Sequence, residues 1–254
     1  MHPSEVTGRH DGITTPDFGH RAATYDELRP TDENWWEVYE ALVREGDLTG
    51  RRVLDVGCGT GRFAAALSDR ARVWGVDQSP QMLEVARVRA PGVRFKQASV
   101  DALPFKDGWF ERVTMWLVIH LLDRPRGYAE IRRVLGPGGQ VAVATFDPSY
   151  FGVFWFRDYF PSMEEIDRAR FPTRADFESE LQAAGFGAPS FTRLSQQATV
   201  TREVALERIR GRHIATFDLI GDEEFQAGLE RAERELPKEV DYRQEWLLAV
   251  AEAV

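Results

Sequence analysis

The chain of 254 residues holds one cysteine, Cys58, which excludes an intramolecular disulfide and any multi-cysteine zinc centre. Lysine is almost missing: three of 32 basic residues are lysine (Lys96, Lys106, Lys238), a bias we attribute to codon composition. There is no long apolar run. Residues 115–122 form the longest, interrupted by His120 and well short of the ~20 residues of a membrane span. The first 15 residues carry no apolar core of signal-peptide length, so a soluble, cytoplasmic protein is expected. Positive charge is in deficit, with a net charge of −9. An acidic surface repels phosphate backbones, so neither nucleic acid nor an anionic membrane is an expected partner. What remains is 43% hydrophobic residues, enough for a full core in one large domain or two small ones.

Residues 1–20 read as a loose arm. Trp35, Tyr39, Leu42 and Val43 then recur on one helical face, and Gly46 supplies a stop. Short apolar runs alternate with helical segments from there. Strands are expected at 52–56, 73–77, 93–97, 110–116 and 140–146. Helices are expected at 62–70, after Ser79-Pro80, and after Pro125 up to Gly136-Pro-Gly-Gly139. This alternation specifies an α/β fold with a parallel sheet and helices on both faces. Beyond it lie an aromatic segment at 147–172, a helix at 173–184, and a sixth strand at 190–194. Residues 201–236 read as mostly helical, and 242–251 as a strand or a short helix.

The segment Val53-Leu-Asp-Val-Gly-Cys-Gly-Thr-Gly61 links the first strand to a helix. Glycines there let a ligand approach the backbone at the carboxyl edge of the sheet. Asp77, at the end of the second strand, is placed to accept hydrogen bonds from ribose hydroxyls. The spacing is Gly-x-Gly-x-Gly. It is not the dinucleotide fingerprint, whose sixth position would be Arg62, and it lacks the Gly-Lys ending of a P-loop.

These residues resemble the class I S-adenosylmethionine (SAM)-dependent methyltransferases, and most of all the broad bacterial group containing the ubiquinone/menaquinone C-methyltransferases. Val53–Gly61 matches the first family motif and 74–83 the second. Leu103-Pro-Phe-x-Asp-Gly-x-Phe110 and Glu130-Ile-Arg-Arg-Val-Leu-Gly-Pro-Gly-Gly139 match two more. Ala23-x-Tyr-Asp-x-x-Arg-Pro30 is similar to the family's N-terminal segment. The resemblance implies a doubly wound, mostly parallel, seven-stranded Rossmann-like sheet with a helical substrate cover. It implies SAM as cofactor and S-adenosylhomocysteine as product, with no metal. The acceptor would be a small, partly apolar molecule methylated on O, N or C, by a monomer or homodimer. By the same resemblance Gly57, Cys58 and Gly59 lie against the methionine half, and Asp77 holds the ribose. Gln78 and Met82 flank the adenine, and Trp116 lies near the sulfonium. Tyr25 and Arg29 close over the amino-acid end, the arginine paired with the carboxylate. The family usually has Gly-Asp-Ala where this chain has Ala98-Ser99-Val100, which leaves Ser99, Val100 and Asp101 as candidates at the adenine. Two alternatives are a SAM-fold enzyme with another reaction and a non-catalytic SAM-binding or interaction protein.

Asp55 is a candidate cofactor residue, expected to order the glycine loop through backbone amides. Cys58 is expected to pack rather than to act as a nucleophile. His120, just past the fourth strand, is the candidate general base. Eight aromatic residues fall within 146–160, so Tyr150, Phe154 and Trp155, with His213, are candidate substrate contacts. Arg208, Arg210 and Arg212 read as a solvated helix face, with an anionic substrate as the rival reading. One domain is expected over 21–254. It divides into leading helices (21–50), a cofactor core (51–147), an aromatic lid (148–172), a helical cap (200–237) and a last strand (242–251).

Overall fold

The computed structural model describes residues 8–10, 13–15, 19–27 and 29–254. Much of the expected arm, 1–20, therefore lies outside the described residues, as do His2 and the side chains of His10 and His20. Gly8–His10 and Ile13–Thr15 pair as a small antiparallel ribbon.

Seven strands form the main sheet: β1 (Arg52–Val56), β2 (Arg72–Asp77), β3 (Arg94–Gln97), β4 (Phe110–Trp116), β5 (Leu135–Phe146), β6 (Ser190–Thr201) and β7 (Glu239–Glu252). Their order is β3-β2-β1-β4-β5-β7-β6. The first five run parallel, whereas β7 is antiparallel to both neighbours. Alternate residues face opposite sides, as the two-residue period of a strand demands. On β5, Val141 and Val143 join one core with Phe110, Tyr128 and Phe177, while Ala142 and Ala144 join the other with Leu42, Phe63 and Leu67. Helices α1 (Glu33–Glu45), α2 (Arg62–Leu67), α3 (Pro80–Arg89), α4 (Arg124–Val134) and α6 (Arg174–Ala183) flank the sheet. Their starts follow local chemistry: the Asp32, Ser79 and Asp123 side chains accept the backbone N–H of Trp35, Met82 and Arg126, satisfying donors a first turn leaves free.

Three expectations need correction. The helix after the glycine loop ends at Leu67 rather than residue 70. Gly136–Gly139 does not stand outside β5 but forms a bulged stretch within it, between the Phe110–Leu135 and Arg112–Gln140 pairs. The sixth strand runs to Thr201 rather than 194, and 242–251 is strand, because β6 and β7 pair in register along twelve residues. Half of that ribbon, 195–201 with 239–245, extends beyond β5.

The extension supports a third core under the cap. Helices α5 (Met163–Arg170), α7 (Arg202–Arg210) and α8 (Asp222–Glu235) enclose Phe156, Phe160, Ile209, Phe217 and Phe225, with Val240 from β7. In α8, Gly228 lets the helix lie on the aromatic segment, since a Cβ there would sit 2.4 Å from the Phe160 ring and 2.6 Å from the Tyr159 carbonyl. In an open helix, Gly→Ala stabilises by about 1 kcal/mol. At Gly228 the clash reverses the sign, and thermal unfolding of Gly228→Ala should show a lower Tm than the native chain; a higher Tm would mean the contact is loose.

Candidate active site

The carboxyl ends of β1, β2, β4 and β5 open into one cavity of about 710 Å³, within the range of small-molecule sites. Gly57, Cys58 and Gly59 line it, with Asp55, Asp77, Gln78, Met82, Ser99, Val100 and Trp116. Tyr25, Arg29, His120, Tyr150, Phe154, Trp155 and His213 line the same space. Of the site residues expected from sequence, Asp101 alone is not among those lining it.

The glycine loop is held by Asp77. One carboxylate oxygen accepts the Gly59 N–H at 2.9 Å, and the other accepts the Ser79 N–H at 2.9 Å. The loop is therefore tied to the start of α3. Gly57 and Gly59 both have positive φ (67° and 53°), where a side chain is disfavoured. A Cβ on Gly57 would strike Val118, whereas the space beside Gly59 is open. Leu117, also in the cavity wall, holds a φ of 51° without being glycine, the kind of strain that collects at functional sites.

Asp55 does not order the loop. Its Oδ1 accepts the Thr114 hydroxyl at 3.2 Å, and its Oδ2 is buried without a hydrogen-bond partner. Burial pushes its carboxyl up to about 8, against the opposing hydrogen bond from Thr114. Burial, with Asp55 and Asp77 nearby, also pushes the Cys58 thiol well above its ordinary value. Cys58 is thus a packing residue and no thiolate nucleophile.

Residues 21–27 and 29–30 tie this region to the cap. Asp26, part of the N-terminal motif but given no role from sequence, accepts the Thr60 hydroxyl at 3.0 Å and pairs with Arg89 and, at 3.5 Å, Arg62. Arg29 lies 3.7 Å over the Tyr25 ring and donates to the Tyr25 and His213 carbonyls. Two of its N–H groups are thus held on backbone carbonyls. Arg21 pairs with Asp218.

In the same cavity, Phe146, Tyr150, Phe151, Phe154, Trp155 and Phe171 form an aromatic wall. His120 stacks on Phe171 at 4.0 Å, and its Nδ1 has no partner. Burial, then Arg170, holds its pKa well below the usual histidine value, so it is neutral at pH 7. His213 is likewise depressed by burial, then by Arg29 and Arg208. Beside the wall, Asp167 accepts the Thr216 hydroxyl at 2.6 Å, and burial pushes its carboxyl up to about 6. Asp167, Tyr242, Gln244 and Trp246 are cavity residues that sequence patterns did not expose; three of them come from β7, whose place depends on distant pairing.

A family model described as a methyltransferase domain matches residues 53–139. The demethylmenaquinone methyltransferase of Deinococcus radiodurans is 35% identical over 201 residues, spanning 72% of this chain and 82% of that one. The chain belongs to the class I SAM-dependent methyltransferases. It is also similar to the malonyl-[acyl-carrier protein] O-methyltransferase of Halorhodospira halophila, 32% identical over 200 residues, 74% of this chain and 66% of that one. Among solved structures, a putative methyltransferase of an antibiotic biosynthesis pathway from Anabaena variabilis shares the fold, with a TM-score of 0.65 at 21% identity, covering 84% of this chain and 96% of that one. The methyltransferase chain has no helix among its described residues long and apolar enough to cross a membrane.

The raised Asp55 carboxyl sets a pH dependence. Folded, it keeps its proton to about pH 8, whereas an unfolded aspartate loses it near pH ~4. The stability it contributes is complete below about pH 4 and is lost as pH rises towards about 8. Asp55→Asn removes that slope, so its stability relative to the native chain should rise between pH 5 and 8.5, by about 2–4 kcal/mol. Denaturant titrations at the two pH values check this; a difference independent of pH would show that Asp55 ionises normally.

Proposed function

We propose that this enzyme methylates a planar, largely apolar small molecule, of which a hydroquinone or phenol is the type, at an O, N or C nucleophile. The observation that carries the reading is the single cavity joining the glycine loop to the aromatic wall. The Deinococcus relative, named for a quinone substrate, supports it.

The residues present fit SAM. The open space beside Gly59 leaves room for a ligand against the backbone, and a cation such as the amino group of the methionine end would draw the proton from the buried Asp55 carboxyl and give its orphaned Oδ2 a partner. Asp77 would take the ribose, and Gln78, Met82, Ser99 and Val100 the adenine. Tyr25 and Arg29 would cover the methionine end, with Trp116 and Cys58 packed along it. Bound SAM supplies a methyl group already activated on a sulfonium. The chain's own work is to align the acceptor and exclude water. Residues 21–254 would act as one unit, as monomer or homodimer: 21–50 and 51–147 hold the cofactor, while the lid (148–172) and cap (200–237) cover the acceptor.

His120 would take the proton from an acceptor hydroxyl or amine. Being neutral, it is in the form a base requires, and its unpartnered Nδ1 is free to accept. Transfer of label from methyl-tritiated SAM to a panel of hydroquinones and phenols tests the function; a panel of sugars labelled in preference would overturn it. With a labelled acceptor in hand, His120→Ala should lower kcat by ~100-fold or more. The native rate should show no acid limb between pH 6.5 and 8. An unchanged kcat in the variant would remove His120 from the reaction.

A further inference from the structure

The three arginines Arg208, Arg210 and Arg212 fall at the end of α7 and just beyond it, and the structure separates them. Arg210 pairs with Glu233 at 2.5 Å. Arg212 lies 3.7 Å from both Asp218 and Asp222, its guanidinium 3.9 Å over the Phe225 ring. Arg208 instead lines the cavity, which corrects the solvated-face expectation for that residue. Among the described residues no carboxylate pairs with it. Its Nη1 donates to the Tyr242 hydroxyl at 3.1 Å, which fixes the side chain without neutralising it.

Some partly buried arginines find acids, Arg124 on Glu180 at 2.8 Å and Arg133 on Glu130 at 2.7 Å, whereas Arg29, in the same cavity as Arg208, donates to carbonyls. An unpaired cation in an aromatic-walled cavity is costly unless something completes it. The surroundings add to the demand. His213 is beside Arg208 in the same wall, its Nδ1 buried and unpartnered. Arg29 is held on the His213 carbonyl. Burial first, and then both arginines, lower the pKa of the imidazole; the arginines' share reflects positive potential at this corner. The Tyr242 hydroxyl accepts from Arg208, so its own proton is free to be donated. A guanidinium fork matches a carboxylate through two parallel N–H donors.

We propose that Arg208, with Tyr242 and His213, binds a carboxylate on the methyl acceptor, so that the acceptor is an aromatic or polycyclic acid with its charged end under the cap. The proposal rests on reading the aromatic wall as the acceptor site.

The test is calorimetry with 3-hydroxy-2-naphthoic acid and its neutral carboxamide, each titrated into enzyme saturated with S-adenosylhomocysteine. The native enzyme should bind the acid at least ~10-fold more tightly than the carboxamide, the scale of a charged hydrogen-bonded pair. In Arg208→Gln the two affinities should become equal, with carboxamide and S-adenosylhomocysteine affinities within about twofold of native. Arg208→Lys should keep part of the preference, and Arg210→Gln all of it. No preference in the native enzyme, including no binding of either probe, overturns the proposal, as does a preference surviving in Arg208→Gln. It is also overturned if Arg208→Gln chiefly weakens S-adenosylhomocysteine, which would assign the corner to the cofactor's carboxylate. Failure of the native enzyme to bind S-adenosylhomocysteine would instead sink the methyltransferase reading of the cavity.

Discussion

The arrangement depends on one carboxylate with two duties. Asp77 closes β2 and spends one oxygen on the Gly59 N–H and the other on the Ser79 N–H. The loop after β1 and the start of α3 are thereby held at a fixed separation along the sheet edge. Each carboxylate oxygen has a second lone pair, so Asp77 can organise the protein and still face a ligand. Burial raises its pKa against three backbone hydrogen bonds that lower it. Those amides favour the ionised form against burial, and losing them would free the loop.

Around that edge the cavity is mixed in chemistry. Its lining includes acids beside the glycine loop (Asp55, Asp77) as well as aromatic rings with a basic corner. That mixture suits the proposed pair of a cationic cofactor and an apolar, acidic acceptor. Asp26, on Thr60 and Arg89, and Arg29, on His213, link the glycine loop to the cap. Closing the site is thus the work of side chains far apart in sequence, with the cap supported by a core of its own.

Sequence reading succeeded where the determinants are local. β1, β2 and β4, the glycine loop, Asp77 and the capped start of α3 all follow from patterns within a few residues. Phe177 and Leu181, four residues apart on α6, share one face of that helix and are both buried. Sequence reading fell short where structure is set by distant partners. The length of β6 is decided by β7, some fifty residues further along. Asp55 was legible as special but not in its role: Thr114, on another strand, takes one oxygen, and burial leaves the other alone. Asp101 is close in sequence to Ser99, yet it falls outside the cavity, because a turn follows β3 rather than an extended segment. The different fates of Arg208, Arg210 and Arg212 follow from acids on α8 and the loop before it.

The central claim is that one cavity holds SAM along the Asp77 edge and an acceptor against the aromatic wall. A crystal structure of the complex with S-adenosylhomocysteine tests it most directly. The account predicts ribose hydroxyls on Asp77, the amino group at Asp55, and the sulfur facing the side of the cavity that contains His120 and Phe171. Adenosine bound away from Asp77, or a sulfur turned from that wall, would contradict it.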